Sequence, residues 1–144
     1  MLELVADAPL SEILHQRIFA PLGMKDTGFF AAAPDAGARL AQPFPADPWT
    51  GAPVSLFDMC ERPAFQAGGG GLVSTVDDYA CFAQMMLDGG TLGGRRIIGR
   101  AALRHMTANH LHASITHRPD PLPPGHGFGL GVAVRTDAGL TPYP

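Results

Sequence analysis

Basic residues are scarce in this sequence, and lysine is almost absent. The 144 residues include 10 Lys and Arg against 13 Asp and Glu, giving a formal net charge of −3, and Lys25 is the only lysine. Arg95 and Arg96 are the only adjacent basic pair. Nucleic acid and anionic membranes bind proteins through clustered positive charge, so neither is expected as a partner. Any mechanism that needs a lysine has one candidate.

Long apolar runs and cysteine clusters are also missing. No run approaches the roughly 20 residues that a membrane-spanning helix needs. The first ten residues hold Glu3 and Asp7 without a basic residue, so they are not expected to be a signal peptide. Cys60 and Cys81 fit no C-x-x-C pattern. They form either a disulfide or two buried thiols, and the second is expected.

The composition is nevertheless that of a globular protein, because 46% of the residues are hydrophobic. The 18 glycines and 14 prolines indicate many loops. Residues 8–19 show the period of an amphipathic helix, with Asp7 as candidate cap, Pro9 in its first turn, and Pro21 and Gly23 ending it. Its apolar residues are Leu10, Ile13, Leu14 and Ile18.

The clearest predicted helix follows a run of four glycines. Thr75 and Asp78 have the spacing of an N-cap and N3 pair, and Gly89 closes the segment. The apolar stripe consists of Val76, Tyr79, Ala80, Ala83, Met86 and Leu87. A further helical segment spans Arg100 to Thr107, with Leu103 and Met106 expected to face inward.

Long loops separate these helices. Thr27 to Ala67 is predicted to be an ordered loop with at most short strands, and Ala108 to Gly125 is a second loop. After it, alternation predicts one strand, whose apolar members are Phe128, Leu130, Val132 and Val134. A lone hydrophobic strand needs a pairing partner. The sequence is therefore expected to be cut shortly after that strand.

None of the four serines lies in a catalytic motif. Ser11, Ser55, Ser74 and Ser114 lie in no G-x-S-x-G elbow. No S-x-x-K motif exists, because the residue three before Lys25 is Leu22. The segment Lys25-Asp26-Thr27-Gly28 has one residue too many for a K-T-G triad and is predicted to be a turn. A serine nucleophile without a base is inert, so no residue is assigned a catalytic role.

Two other groups of residues are candidate sites. His110, His112 and His117 could suggest zinc, but they lack an H-E-x-x-H helix and are interpreted as solvated loop histidines. The run Gly68 to Gly71 lacks the lysine of a P-loop. Glycine allows close backbone approach, so this run is interpreted as a segment that passes a ligand or another strand.

Four blocks of the sequence together resemble one known family, and they cover nearly all of the chain. The blocks are Arg17–Phe29, Gly68–Tyr79, Leu103–Leu111 and Gly127–Gly131. They are similar to the middle of the serine β-lactamase-related family, which holds class C β-lactamases, D-alanyl-D-alanine carboxypeptidases and esterases. The resemblance implies an α+β chain: a mostly helical part of the β-lactamase/transpeptidase-like fold with long ordered loops and a C-terminal strand.

In that family S-x-x-K and Y-x-N motifs precede the first block, and a K-T-G or H-x-G strand follows the last. None of them occurs in residues 1–144. The resemblance therefore implies a partial domain over 1–144 that is inactive alone. It implies that Gly68, Gly69, Gly70 and Gly71 line one wall of the substrate cleft, and that Ser74 and Thr75 cap the following helix.

The partner implied for the intact enzyme is a small-molecule ester, peptide or β-lactam that is cleaved through an acyl-serine. No cofactor, metal, nucleic acid or membrane segment is implied, and self-association through exposed apolar faces is a further option. Two other hypotheses belong to different classes. One is a non-catalytic binding or interaction module derived from the same family, and the other is a zinc hydrolase using His110 and His112.

Overall fold

Helical segments form the N-terminal part of the chain. The computed structural model describes residues 1–55, 58–112, 114–115 and 122–140. Helix α1 spans Leu2–Ala6 and α2 spans Leu10–Leu14. A π-helical turn, His15–Phe19, follows α2 directly and leads into α3, Ala20–Leu22.

The predicted helix over 8–19 therefore exists but has different ends. Asp7 does not cap it; with φ 49° it ends α1 instead, and Pro9 holds the N-cap position of α2. Pro21 lies inside α3, and Gly23 ends the helical run with φ 74°. Glycine is suited to this position because it has no Cβ, the atom that clashes with the backbone in the left-handed conformation.

The long loop prediction for residues 27–67 agrees with the structure apart from one short helix, α4, Ala36–Arg39. A single antiparallel bridge ties this region to the glycine-rich segment: Gly28 N donates to Val73 O at 3.1 Å, and Val73 N donates to Gly28 O at 2.8 Å. The buried apolar residues nearby are Phe19, Leu22, Met24 and Phe29. Burying each such side chain stabilises the fold by roughly 1.5–3 kcal/mol.

Helix α5, Val76–Leu87, is the longest element of the described chain. Its predicted cap is present, because the Asp78 backbone N–H donates to Thr75 Oγ1 at 3.2 Å. The predicted apolar stripe, however, is not the buried face: Val76 is 86% exposed and Leu87 81%, whereas Asp78 is 8% and Met85 2% exposed. Asp78 and Met85 share a face because they are seven residues apart. The hydrogen bonds that the Asp78 carboxylate accepts select that face.

After α5 the chain forms two small hairpins with a helix between them. Strands β1, Thr91–Leu92, and β2, Arg95–Arg96, pair antiparallel. Helix α6, Arg100–Met106, follows as predicted, with Leu103 buried and Met106 half-buried. The β1–β2 hairpin was not predicted from the sequence.

The predicted single C-terminal strand is in fact a hairpin. Strand β3, His126–Phe128, pairs antiparallel with β4, Ala133–Arg135, so the strand has a partner within the chain. In β3 and just after it, Phe128 and Leu130 are exposed while Gly127 and Gly129 are buried; farther along, Val132 and Val134 are half-buried while Gly131 and Ala133 are exposed. Gly127 and Gly129 lie inward because other atoms occupy the space that a side chain would take.

The chain divides into two compact units, Met1–Ala83 and Gln84–Pro144. The first contains α1 to α4, and the second contains both hairpins and α6; α5 begins in the first and ends in the second. Within the described part of the chain, no helix is long and apolar enough to span a membrane. The architecture is α+β, mostly helical, with long ordered loops and small sheets.

Candidate functional site

A cleft of about 430 Å³ opens in the first unit beside α2. Its floor is apolar, with Phe19 and Phe29 buried and Val73 half-buried. On one side Ser11 and Gln66 lock α2 to the loop: Gln66 Oε1 accepts from the Ser11 backbone N–H at 2.7 Å, and Gln66 Nε2 donates to Ser11 Oγ at 3.0 Å. Two hydrogen bonds between one pair of residues fix this wall of the cleft.

On the other side a buried carboxylate holds the segment after α3 against the start of α5. Asp78 Oδ2 accepts hydrogen bonds from the Asp26 backbone N–H and from Thr27 Oγ1, both at 2.8 Å. Thr27 Oγ1 also lies 2.8 Å from Ser74 Oγ. Of the two residues expected to cap α5, Thr75 does so through its hydroxyl, whereas the Ser74 hydroxyl forms a hydrogen bond with that of Thr27. A polar network that is satisfied in this way fixes the geometry of the cleft wall.

Charged side chains stand at the rim of the cleft. Arg39 binds the Asp26 carboxylate through both terminal nitrogens, at 3.1 and 2.9 Å. This hydrogen bonding by Arg39 lowers the pKa of Asp26 from its ordinary value and raises the pKa of Arg39. Arg62 lies over the Phe30 ring, with Cζ 5.8 Å from the ring centre. Lys25, the only lysine, is exposed at the same rim.

The predicted glycine wall lies along a second groove, of about 510 Å³. Gly70 and Gly71 line it together with Phe29, Met59 and Phe65. Gly68 and Gly69 are exposed nearby and do not line it. At Gly69, Gly70 and Gly71 a Cβ would meet no atom within 4 Å, so the run is open to solvent and to whatever enters the groove.

Neither His110 nor His112 lines either cleft. His110 and His112 are exposed: His110 Nε2 lies 2.8 Å from the His105 carbonyl oxygen, and His112 Nδ1 lies 2.8 Å from Ser114 Oγ. His117 falls outside the described residues. Among the residues that the structure describes, no three His, Cys, Asp or Glu side chains converge on one metal position.

Both cysteines are free thiols, as expected, but only Cys81 is partly buried, and Cys60 is exposed. Ser55 is exposed on the long loop. Sequence analysis missed the contributions of Thr27, Gln66 and Arg62 to the clefts. Their partners lie 32 to 55 positions away in the chain, so no local spacing could reveal them.

Comparison with known proteins agrees with this architecture. The family model described as Beta-lactamase matches residues 1–142. The chain belongs to this family. Two curated relatives from Mycobacterium tuberculosis, Protein Rv1367c of strain H37Rv and the uncharacterized protein MT1414 of strain CDC 1551, are each 36% identical over 138 residues. The match covers 92% of this chain and 34% of each relative. The chain thus spans about a third of their length.

Solved structures show the same relationship. The chain is similar to EstCE1, a hydrolase with promiscuous acyltransferase activity, with a TM-score of 0.72 and 27% identity, over 99% of this chain and 40% of that one. It is also similar in fold to the octameric penicillin-binding protein homologue from Pyrococcus abyssi, with a TM-score of 0.58 and 20% identity, over 92% of this chain and 26% of that one. The resemblance derived from the four sequence blocks, and the fold that it implied, are confirmed.

Proposed function

We propose that this chain supplies part of the substrate cleft of a serine hydrolase that cleaves ester or amide bonds through an acyl-serine. The observation that carries the proposal is the likeness to EstCE1, a hydrolase whose structure the chain follows over 99% of its own length. Small esters, peptides and β-lactams are the substrate classes, because all three present a carbonyl to the serine. The remainder of such an enzyme would contribute the nucleophile and its base.

The groove beside Gly70 and Gly71 supports this role. It combines apolar side chains, Phe29, Met59 and Phe65, with two exposed glycines at whose Cβ positions no described atom lies within 4 Å. Small-molecule sites are concave, mostly apolar and a few hundred Å³ in volume, and this groove of about 510 Å³ fits that range. Glycine there lets a substrate approach the main chain closely.

By itself the chain is proposed to be inactive. An acyl-serine forms only when a base takes the serine proton, and the sequence contains no S-x-x-K or Y-x-N motif to supply that base. Incubation of the purified chain with a fluorophosphonate serine probe should give no covalent labelling. Labelling that is lost on heat denaturation would contradict this part of the proposal.

The cleft role is tested in a chimera in which this chain replaces the matching segment of EstCE1. Hydrolysis of a p-nitrophenyl ester should persist, and Gly70→Val in the chimera should lower kcat/KM about tenfold by narrowing the groove, with an unchanged melting temperature. Gly99→Val is the matched control, because Gly99 has open space, an extended backbone and no place in either cleft. Equal effects of the two variants would refute the cleft role.

A non-catalytic binding module is the second candidate, and the exposed apolar side chains of α5 favour it. Val76, Tyr79 and Leu87 are 86, 63 and 81% exposed. Apolar patches of this kind mark interaction surfaces. This candidate predicts a monodisperse chain with a cooperative melt together with a chimera that folds but never hydrolyses ester. An active chimera would exclude it.

A further inference from the structure

The cleft beside α2 has a charge pattern that the proposed hydrolase role does not use. We propose that this cleft binds a small amphiphilic carboxylate, with an apolar tail on its floor and its charged end at the rim near Arg62. The inference concerns the 430 Å³ cleft, which shares Phe29 and Arg62 with the glycine-lined groove but includes neither Gly70 nor Gly71.

The floor of the cleft suits an apolar tail. Phe19 and Phe29 line it while being only 5% exposed overall, so the atoms that face the cleft belong to well-packed side chains. Its volume of about 430 Å³ falls within the range of small-molecule sites. The Ser11–Gln66 hydrogen bonds hold the wall in place before any ligand arrives. A cleft formed in advance costs little ordering entropy on binding.

The charge balance at the rim favours an anion. The ionised side chains that line the cleft are Glu12, Lys25, Asp26, Arg39 and Arg62. Arg39 neutralises Asp26 through two hydrogen bonds. Glu12 accepts a hydrogen bond only from the uncharged Gln16, at 2.9 Å, among the described residues. Lys25 and Arg62 form no ion pair with any described residue, so two cations face one unneutralised carboxylate.

Arg62 is placed to bind an oxyanion such as a carboxylate. Its Cζ lies over the Phe30 ring, 5.8 Å from the ring centre, within the range of a cation–π contact. The N–H donors of a guanidinium point outward in its own plane and match the two oxygens of a carboxylate. Contact with the ring also restricts the side chain, so less entropy is lost when it binds the ligand.

The test is calorimetric titration of the full chain with octanoate below its micelle concentration, and with octylammonium at the same concentrations. Octanoate should bind saturably and octylammonium should not. Arg62→Gln should weaken octanoate binding about tenfold, as expected for one charge-assisted contact. Arg95→Gln should leave it unchanged, because Arg95 is exposed on β2 and lies outside the cleft.

A second variant separates binding in the cleft from adsorption elsewhere. Ala32 lines the cleft and is exposed, so Ala32→Trp should fill the space while leaving the rim charges and the circular dichroism spectrum unchanged. Loss of octanoate binding in this variant supports the proposal. Equal binding of octanoate and octylammonium, equal effects of Arg62→Gln and Arg95→Gln, or octanoate binding that survives Ala32→Trp would each overturn it.

Discussion

Two glycine-rich segments of this chain use glycine for opposite reasons. In Gly68–Gly71 all four residues are exposed, and only Gly68 has an atom near the Cβ position, a Leu10 methyl carbon at 3.7 Å. Around β3, Gly127 and Gly129 are buried, and a Cβ on either would collide with neighbouring atoms. A run of glycines in a sequence therefore indicates that side chains are unsuited to those positions. It does not show whether the space beside the backbone is filled by other atoms or open to solvent.

The crowding around β3 has identifiable sources. Asn109 Oδ1 accepts hydrogen bonds from the backbone N–H groups of Leu111 and Phe128, both at 3.1 Å, and its carboxamide lies against Gly127. The Met106 carbonyl accepts from the Leu130 N–H at 2.8 Å and lies against Gly129. The end of α6 and the hairpin are thus joined through positions where only glycine fits.

The largest effect is expected for Gly129→Ala. Its Cβ would overlap the Met106 carbonyl oxygen and approach the Ala108 carbonyl oxygen to 3.1 Å. Backbone atoms cannot rotate away as a side chain can, so the free energy of unfolding should fall by about 3 kcal/mol. Urea denaturation of the full chain measures this. Gly99→Ala in the same unit is the control, because no atom lies within 4 Å of its Cβ position; similar losses in both variants would show that crowding is not the cause.

A double-mutant cycle between Asn109 and Gly127 tests the crowding around β3 further. Its expected losses in the free energy of unfolding are smaller than the loss for Gly129→Ala. Gly127→Ala alone should cost about 2 kcal/mol, because its Cβ would overlap the Asn109 carboxamide. Asn109→Ala alone should cost about 1 kcal/mol through its lost hydrogen bonds. In the Asn109→Ala background, Gly127→Ala should cost under about 0.5 kcal/mol, since the obstructing group is gone. Additive losses in urea denaturation would refute the contact.

Local signals predicted the helices and the inward face of α6, but not the buried face of α5. The period over 8–19, the Thr75 cap of α5 and α6 were all identified because hydrophobic spacing and capping act over a few neighbouring residues. The stripe chosen for α5 was wrong, because Asp78 binds residues 26 and 27, which are about 50 positions earlier. A hydrogen bond between residues so far apart in the sequence decides which face of the helix is buried. The spacing of apolar residues within the helix does not reveal it.

The same limit explains the C-terminal hairpin and the site. Alternation predicted one strand, but Gly127 and Gly129 face inward, against the carboxamide of Asn109 and the carbonyl of Met106, and Phe128 and Leu130 are exposed. The family and fold were recoverable from four short blocks. The clefts were not, because each is lined by residues from separate segments whose proximity depends on the tertiary fold.

The smallest effects test the open segment, where Gly71 and Gly69 form a matched pair. Neither has an atom within 4 Å of its Cβ position, but Gly71 has φ +91° and Gly69 has an ordinary φ. Gly71→Ala should lower the free energy of unfolding by about 1 kcal/mol, because a side chain is strained at positive φ even in empty space. Gly69→Ala should change it by less than about 0.5 kcal/mol. Urea denaturation of both variants distinguishes strain from crowding: a loss at Gly69 that matches the loss at Gly71 would mean that this segment is packed, and its contrast with Gly127 and Gly129 would disappear.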